Sequence, residues 1–321
     1  MIILTGGAGF IGTNTLIELN RRGEDDILIV DNIEGTEKEN NLSCVKFREY
    51  VNKNLLWEWL ERNKEIKIDT IIHLGACSDT TQKDLDYLYQ NNVIYSQKLW
   101  KLAQRNDIPF IYASSAATYG DGILGFSDDH ELIPELKPLN PYGQSKQDFD
   151  LWVLEQKQTP PTWLGLKYFN VYGPFELYKG RMASVAWHGY NQIMETGKIN
   201  LFKSHREDYE DGEQLRDFIY VMDSVNITLN FLDNNIISGI YNVGTGQART
   251  FNALALSLFK SMNLELNVEY FDIPHDIRLK YQYFTKAGIN KSQTLRPDGF
   301  KFHSLEDGVA EYVQFLKIYK F

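Results

Sequence analysis

Cysteine is almost absent from this chain: Cys44 and Cys77 are the only two among 321 residues. That excludes a disulfide framework and a thiolate metal cluster, and it suits a reducing compartment, the cytosol. Basic residues are also outnumbered, 33 Lys and Arg against 43 Asp and Glu, for a formal charge of −10. A general nucleic-acid binder is thereby excluded, and an anionic substrate has to be held by local basic clusters against the overall field. No apolar run approaches the roughly 18 residues needed to span a bilayer, and the start shows no signal-peptide pattern. The expectation is a cytoplasmic protein with no membrane partner and no metal. Repeats, low-complexity tracts and linkers rich in Pro, Gly or Ser are missing as well, so a second domain has to be woven from discontinuous segments. What remains is 43% hydrophobic and 24% charged residues, in a length that suits one large domain or two small ones.

The apolar triplet Ile2, Ile3, Leu4 runs into TGGAGFIG at 5–12, and Ile11, Leu16 and Leu19 then follow at helical spacing. A strand entering a helix through a glycine loop brings backbone N–H groups and a helix N-terminus up to a pyrophosphate. Gly6 allows the tight turn, Gly9 the close approach of phosphates and Gly12 the close packing of the helix. The spacing is G-x-x-G-x-x-G, and an acidic residue, Asp31, ends the next apolar run, where a ribose hydroxyl is bound in dinucleotide folds. Strands read at Ile2–Leu4, Ile27–Val30, Val45–Phe47, Thr70–His73, Phe110–Ala113 and Leu164–Phe169. They alternate with helices at Ile11–Arg22, Asn54–Arg62, Asp84–Arg105 and Tyr142–Gln156, which predicts an α/β fold with a Rossmann-type, doubly wound parallel sheet. Asp217–Val221 and Gly239–Val243 read as later strands returning to the sheet or its edge. The charged stretch Lys203–Arg216 reads mostly as a solvated loop. The expected division is 1–169 plus about 216–243 for a cofactor domain, and about 170–215 plus 244–321 for a smaller, discontinuous α/β substrate domain.

Of 19 tyrosines only Tyr142 has a lysine four residues on, Lys146, at the start of a predicted helix. An ammonium group beside a phenol stabilises the phenolate and moves it toward general-base range. Ser115, at the end of an earlier strand, offers a hydroxyl to the phenol and to a substrate alcohol.

TGGAGFIG, YASSAATYG, YGQSK and LRDFIYVMD together resemble the extended short-chain dehydrogenase/reductase superfamily. HLGACSDTT at 73–81, IYASSAATYG at 111–120, YFNVYGP with KGRMASVAWH at 168–188, NLFK at 200–203, YNVGTGQA at 241–248 and LKYQYFT at 279–285 resemble one family more narrowly. That family is the ADP-L-glycero-D-manno-heptose 6-epimerases of lipopolysaccharide biosynthesis, and the resemblance runs nearly end to end. It implies an NADP site, leaving NAD open, at Phe10, Ile11, Asp31, Asn32, Lys38, Lys53, Leu74, Gly75, Ala76, Cys77, Ser78, Asn91, Lys146, Val171 and Lys179. It implies Tyr142 and Lys179 as two acid/base residues, with Ser115 and Lys146 assisting. Asn170, His188, Phe202, Lys203, Ser204, His205, Arg216 and Tyr281 follow as contacts to an ADP-heptose. Arg181, also a candidate contact, stands where some members carry a small residue. The resemblance further implies a homo-oligomer, a pentamer.

Three other readings compete. A 4,6-dehydratase would carry Asp-Glu after the catalytic hydroxyl residue, where this chain has Ala116 and Ala117. A UDP-sugar 4-epimerase has no need of a second base at Lys179. A binding module that had lost catalysis would be expected to lose the Tyr or the Lys. The reading is a redox-neutral epimerase that oxidises a sugar alcohol and reduces it again from the other face.

Overall fold

The computed structural model describes residues 1–319 apart from 35, 235, 279 and 280. Seven strands form one sheet: β1 (Ile2–Thr5), β2 (Ile27–Asp31), β3 (Glu49–Asn52), β4 (Thr70–His73), β5 (Phe110–Ser115), β6 (Trp163–Tyr168) and β10 (Gly239–Val243). Every pairing is parallel, in the order β10-β6-β5-β4-β1-β2-β3. Alternate residues of these strands enter two cores. Ile2, Leu4, Ile27, Ile29 and Ile72 pack with the helices Phe10–Arg21 and Val221–Asp233 on one face. Ile3, Leu28, Val30 and Ile71 pack with Trp100 and Phe149 of the helices Tyr95–Arg105 and Pro141–Leu154 on the other. A sheet covered on both sides needs near-continuous apolar strands, and that is why these strands are legible as short apolar runs. The expected Rossmann-type sheet is therefore present, and its strand order reverses at β1, the point where such sheets bind ligands beyond their carboxyl ends.

Two small sheets lie beyond those ends. β7 (Asn170–Tyr172), β9 (Leu215–Tyr220) and β11 (Ala248–Thr250) form a three-stranded sheet in the order β11-β9-β7. β8 (Ile199–Phe202) pairs in parallel with β12 (Val268–Phe271). Of the two late strands read from sequence, Gly239–Val243 does form an edge of the central sheet. The strand at Leu215–Tyr220 instead joins the three-stranded sheet.

The third strand is also displaced from its expected place. Val45–Phe47 is not a strand; the pairing with β2 is made by Glu49–Asn52. The cause is Asn20, whose side chain takes both backbone groups of Lys46, with the Lys46 N–H at 2.7 Å and the carbonyl at 2.9 Å. The long helix expected over Asp84–Arg105 is interrupted by a π-helical stretch, Tyr89–Ile94, of the kind that concentrates at functional sites. Among the described residues no helix is long and apolar enough to cross a membrane.

Behind β5 lies a buried ion pair. Lys167 of β6 reaches Asp150 of the helix Pro141–Leu154 at 2.6 Å, both side chains fully buried. Asp150 also accepts the hydroxyls of Tyr112 and Ser114, at 3.0 and 2.7 Å. These bonds tie the helix carrying Tyr142 and Lys146 to the strand that ends in Ser115.

Candidate active site

A cavity of about 820 Å³ runs from the glycine loop, past the ends of β4 and β5, to the small sheets. Gly6 turns with φ +70°, and a Cβ there would stand 2.6 Å from Gly75 N. A Cβ on Gly12 would lie 2.0 Å from Gly6 O, so the helix can approach the loop only with glycine at that position. Gly9 is the N-cap of Phe10–Arg21; it offers no side-chain cap of its own, and the first turn carries no acidic residue. The first amides of that helix, and the positive end of its dipole, therefore suit an anion. These features fit the diphosphate of a dinucleotide.

The far end of that cradle is Asp31. Its Oδ2 accepts the Ala8 N–H at 3.1 Å, while its Oδ1 accepts the Asn32 N–H at 2.7 Å and Lys38 Nζ at 3.0 Å. The carboxylate thus closes onto the glycine loop and is paired with a cation. Lys53 and Asn91 bond each other rather than lining the cavity, and Asn32, exposed, accepts from Asn52 at 3.3 Å.

At the end of β4, Leu74, Gly75, Ala76 and Ser78 line the cavity. They are set by side chains that the sequence did not single out. Thr5 Oγ1 bonds His73 Nδ1 at 2.6 Å and accepts the Gly75 N–H at 3.2 Å. Burial drives His73 down to about 3, so it stays neutral. Asn92, in the π-helical stretch, accepts the Cys77 N–H at 2.8 Å and donates to the Cys77 carbonyl at 3.0 Å. The Cys77 backbone is thereby used within the protein, and Cys77 itself is not among the lining residues.

Ser115 and Tyr142 face each other across the cavity wall. Ser115 Oγ accepts the Ala117 N–H at 3.1 Å, which leaves its proton for the phenol or for a ligand. Burial pushes the Tyr142 phenol up from its ordinary value, and the Ser115 hydroxyl opposes that rise. Sequence reasoning expected Lys146 to bring the phenol down. Here Lys146 Nζ instead donates to the Ala113 carbonyl at 2.8 Å. Burial lowers this ammonium to about 8, with the Asp150 carboxylate opposing.

Leu177–Met182 forms a 3-10 segment that carries Lys179 to the same cavity. Its ammonium lies 5.2 Å from the Phe10 ring centroid. Burial pushes Lys179 below the usual lysine value, against the pull of the Glu176 carboxylate. Glu176, fully buried, fixes the base of the segment by accepting both the N–H and the O–H of Ser184 at 2.6 Å. Arg181 is exposed and lines the cavity rim, where Asp79 lies within its electrostatic reach.

The small sheets supply the remaining wall. Arg216 is buried between Tyr281 and Phe251, with ring centroids 5.2 and 5.5 Å from its guanidinium carbon. Among the described residues the guanidinium makes one hydrogen bond, to the Leu215 carbonyl at 2.9 Å, so the rest of the planar fork can serve a phosphate. Asn170, Val171, His188, Phe202 and Tyr281 also line the cavity. Lys203, Ser204 and His205 do not: the Ser204 N–H goes to Asp211 at 2.7 Å, and His205 accepts the Ile273 N–H at 3.2 Å. Leu279 and Lys280 of the LKYQYFT stretch lie outside the described residues. Among the described residues no group of three or more His, Cys, Asp and Glu could hold a metal ion.

Tyr142 and Lys179, from motifs far apart in sequence, thus line one cavity with the glycine loop at one end and Arg216 at the other. Comparison with known proteins identifies the family. Residues 2–244 match the model of the NAD dependent epimerase/dehydratase family. An ADP-L-glycero-D-manno-heptose-6-epimerase of Fusobacterium nucleatum is 48% identical over 98% of this chain and 97% of its own length. One of Pseudomonas aeruginosa is 40% identical over 98% of each. The crystal structure of the Helicobacter pylori ADP-L-glycero-D-manno-heptose-6-epimerase aligns with a TM-score of 0.82 at 28% identity, covering 98% of this chain and 96% of that one.

Proposed function

The chain belongs to the NAD dependent epimerase/dehydratase family and, within it, to the ADP-L-glycero-D-manno-heptose-6-epimerases, and from that premise we propose that it inverts C6 of the heptose in an ADP-heptose. The observation that carries the proposal is the single cavity lined by Tyr142 and Lys179, from separate motifs, between a dinucleotide cradle and a buried arginine. A nicotinamide bound at the glycine loop would supply the hydride acceptor for the C6 alcohol and the hydride donor for the resulting ketone. The residues handle protons and position. Tyr142, with Ser115 beside it, serves the C6 oxygen on one side, and Lys179 serves it once the carbonyl has turned over. Arg216 is suited to the substrate's diphosphate, its charge held between two aromatic faces. Ala116 and Ala117 carry no proton-transferring group, which argues against a dehydratase.

The test is incubation with ADP-D-glycero-D-manno-heptose and NMR of the C6 centre. Substrate deuterated at C6 should give product that keeps its label in ordinary water. Washout to solvent would mean direct deprotonation of carbon and would overturn the transient ketone.

Family membership carries dependence on a nicotinamide cofactor. We propose NADP, supported by the pairing of Lys38 with Asp31: a carboxylate alone repels a 2′-phosphate, and the ammonium offsets it. Lys38→Ala should weaken NADP by about tenfold, the range for a hydrogen bond to a charged group, and NAD by less. Calorimetry on the cofactor-free protein measures both affinities. Equal losses, or NAD alone in the denatured extract of the purified protein, would contradict the NADP assignment.

The division into cofactor and substrate units stays a proposal. It is supported by all seven strands of the central sheet falling within 1–169 and 216–243, and by β7, β8, β11 and β12 falling outside them; β9 (Leu215–Tyr220), in the small sheet, runs against the boundary at 216. The family resemblance also carries the proposals of a cytoplasmic location and of a homo-oligomer, a pentamer. Light scattering from a stable monomer at micromolar concentration would overturn the assembly.

A further inference from the structure

Tyr178 has no part in the chemistry above, yet its phenol stands at the mouth of the glycine loop. Its oxygen accepts the Phe10 N–H at 2.9 Å, a contact between residues 168 apart. Phe10 is the first residue of the helix whose N-cap, Gly9, has no side chain to offer. A Cβ on Gly9 would lie 3.1 Å from the same phenol oxygen, so glycine there leaves the tyrosine its place. The ring also faces Lys38, whose Nζ is 5.4 Å from the centroid and is tied to Asp31. Tyr178 therefore spans the stretch between the helix N-terminus and the proposed ribose end, and it lines the same cavity as both.

We infer that Tyr178 is a binding residue for the diphosphate bridge of the dinucleotide, its phenol accepting the Phe10 N–H while giving its own proton to a phosphate oxygen. The inference rests on the reading of the glycine loop as the cofactor site. A phenol can do both at once, having one donor and two lone pairs. Burial raises this phenol to about 12, so it keeps its proton through the physiological range and acts as a donor. The result is a side-chain donor added to the helix amides and carried on the segment that also carries Lys179. Dinucleotide binding would thereby fasten Leu177–Met182 against the glycine loop.

The test compares the full chain, stripped of cofactor, with Tyr178→Phe, which keeps the ring and its contact with Lys38. Each is titrated with NADP and NAD, and with 2′-AMP and adenosine, which lack the diphosphate bridge. Thermal unfolding of both proteins verifies that the fold is unchanged. The phenylalanine variant should bind the dinucleotides about tenfold or more weakly, the scale of a lost hydrogen bond to a charged oxygen, and the fragments equally well. Equal weakening for dinucleotides and fragments would mean that Tyr178 only places the segment, and would overturn the inference. Unchanged or tighter dinucleotide binding would mean that the phenol merely competes for the Phe10 N–H, and would overturn it too. Wild-type protein that binds no dinucleotide would instead defeat the reading of the cofactor site, together with all that rests on it.

Discussion

Tyr142→Phe should lower turnover by about a hundredfold to ten-thousandfold, as loss of a general acid–base group does. The substitution deletes one oxygen and leaves the ring in place, so fold and bound cofactor should be unaffected. The environment argues for a large effect. The phenol is held up by burial, and Ser115 opposes that rise. A phenol in that state is a poor base on its own and depends on the charge assembled around it. Lys146 is buried with its ammonium on the Ala113 carbonyl, and Asp150, one turn further along the same helix, opposes the loss of its proton. A cationic nicotinamide beside this pair would add to the pull on the phenolic proton. Steady-state epimerisation read by NMR, with unfolding midpoint and cofactor content as controls, checks the prediction. Turnover within about tenfold of wild type would remove Tyr142 from the proton transfer.

The parts of the molecule legible from sequence are those governed by local pattern. The central strands are buried on both faces, so Ile2–Leu4, Ile27–Val30 and Thr70–His73 announce themselves as apolar runs. The glycine loop is legible because its constraint is backbone space, visible as the absence of side chains at Gly6 and Gly12. What was not legible depends on partners distant in sequence. Nothing around Lys46 reveals that Asn20 takes both its backbone groups and shifts the third strand onward. Tyr178, one of 19 tyrosines, is distinguished only by a bond to Phe10. Asn92 and Glu176 likewise become part of the site through Cys77 and Ser184, contacts made by the folded chain. The small sheets have strands of three to six residues, too short for periodicity to register, and they were read from sequence only in part. The acceptor of Lys146 was likewise not legible: i,i+4 spacing puts two side chains on one face, but it does not say that the ammonium takes the Ala113 carbonyl.

Lys179→Met should also cost about a hundredfold or more in turnover, and it separates a two-base mechanism from a one-base mechanism. Inversion at C6 requires the oxygen to be deprotonated in one orientation and reprotonated in another, because the carbonyl turns over between the two hydride steps. A fixed phenol serves one of these positions. Lys179, which lines the same cavity, is proposed to serve the other, and burial lowers its proton affinity so that the neutral amine is more accessible than in a solvated lysine. Glu176 limits that lowering while fixing the base of the segment through Ser184. Methionine keeps the length of the stem and the packing near Phe10, removing only the ammonium and its cation–π contact with that ring. Cofactor affinity should therefore change much less than turnover. Lys179→Arg sharpens the comparison, since a guanidinium keeps the charge but does not release its proton in this pH range. If Lys179 transfers a proton, both variants should be comparably slow. If it acts only through its charge, arginine should restore most of the rate, and a near-normal rate for Lys179→Met would leave Tyr142 as the single base.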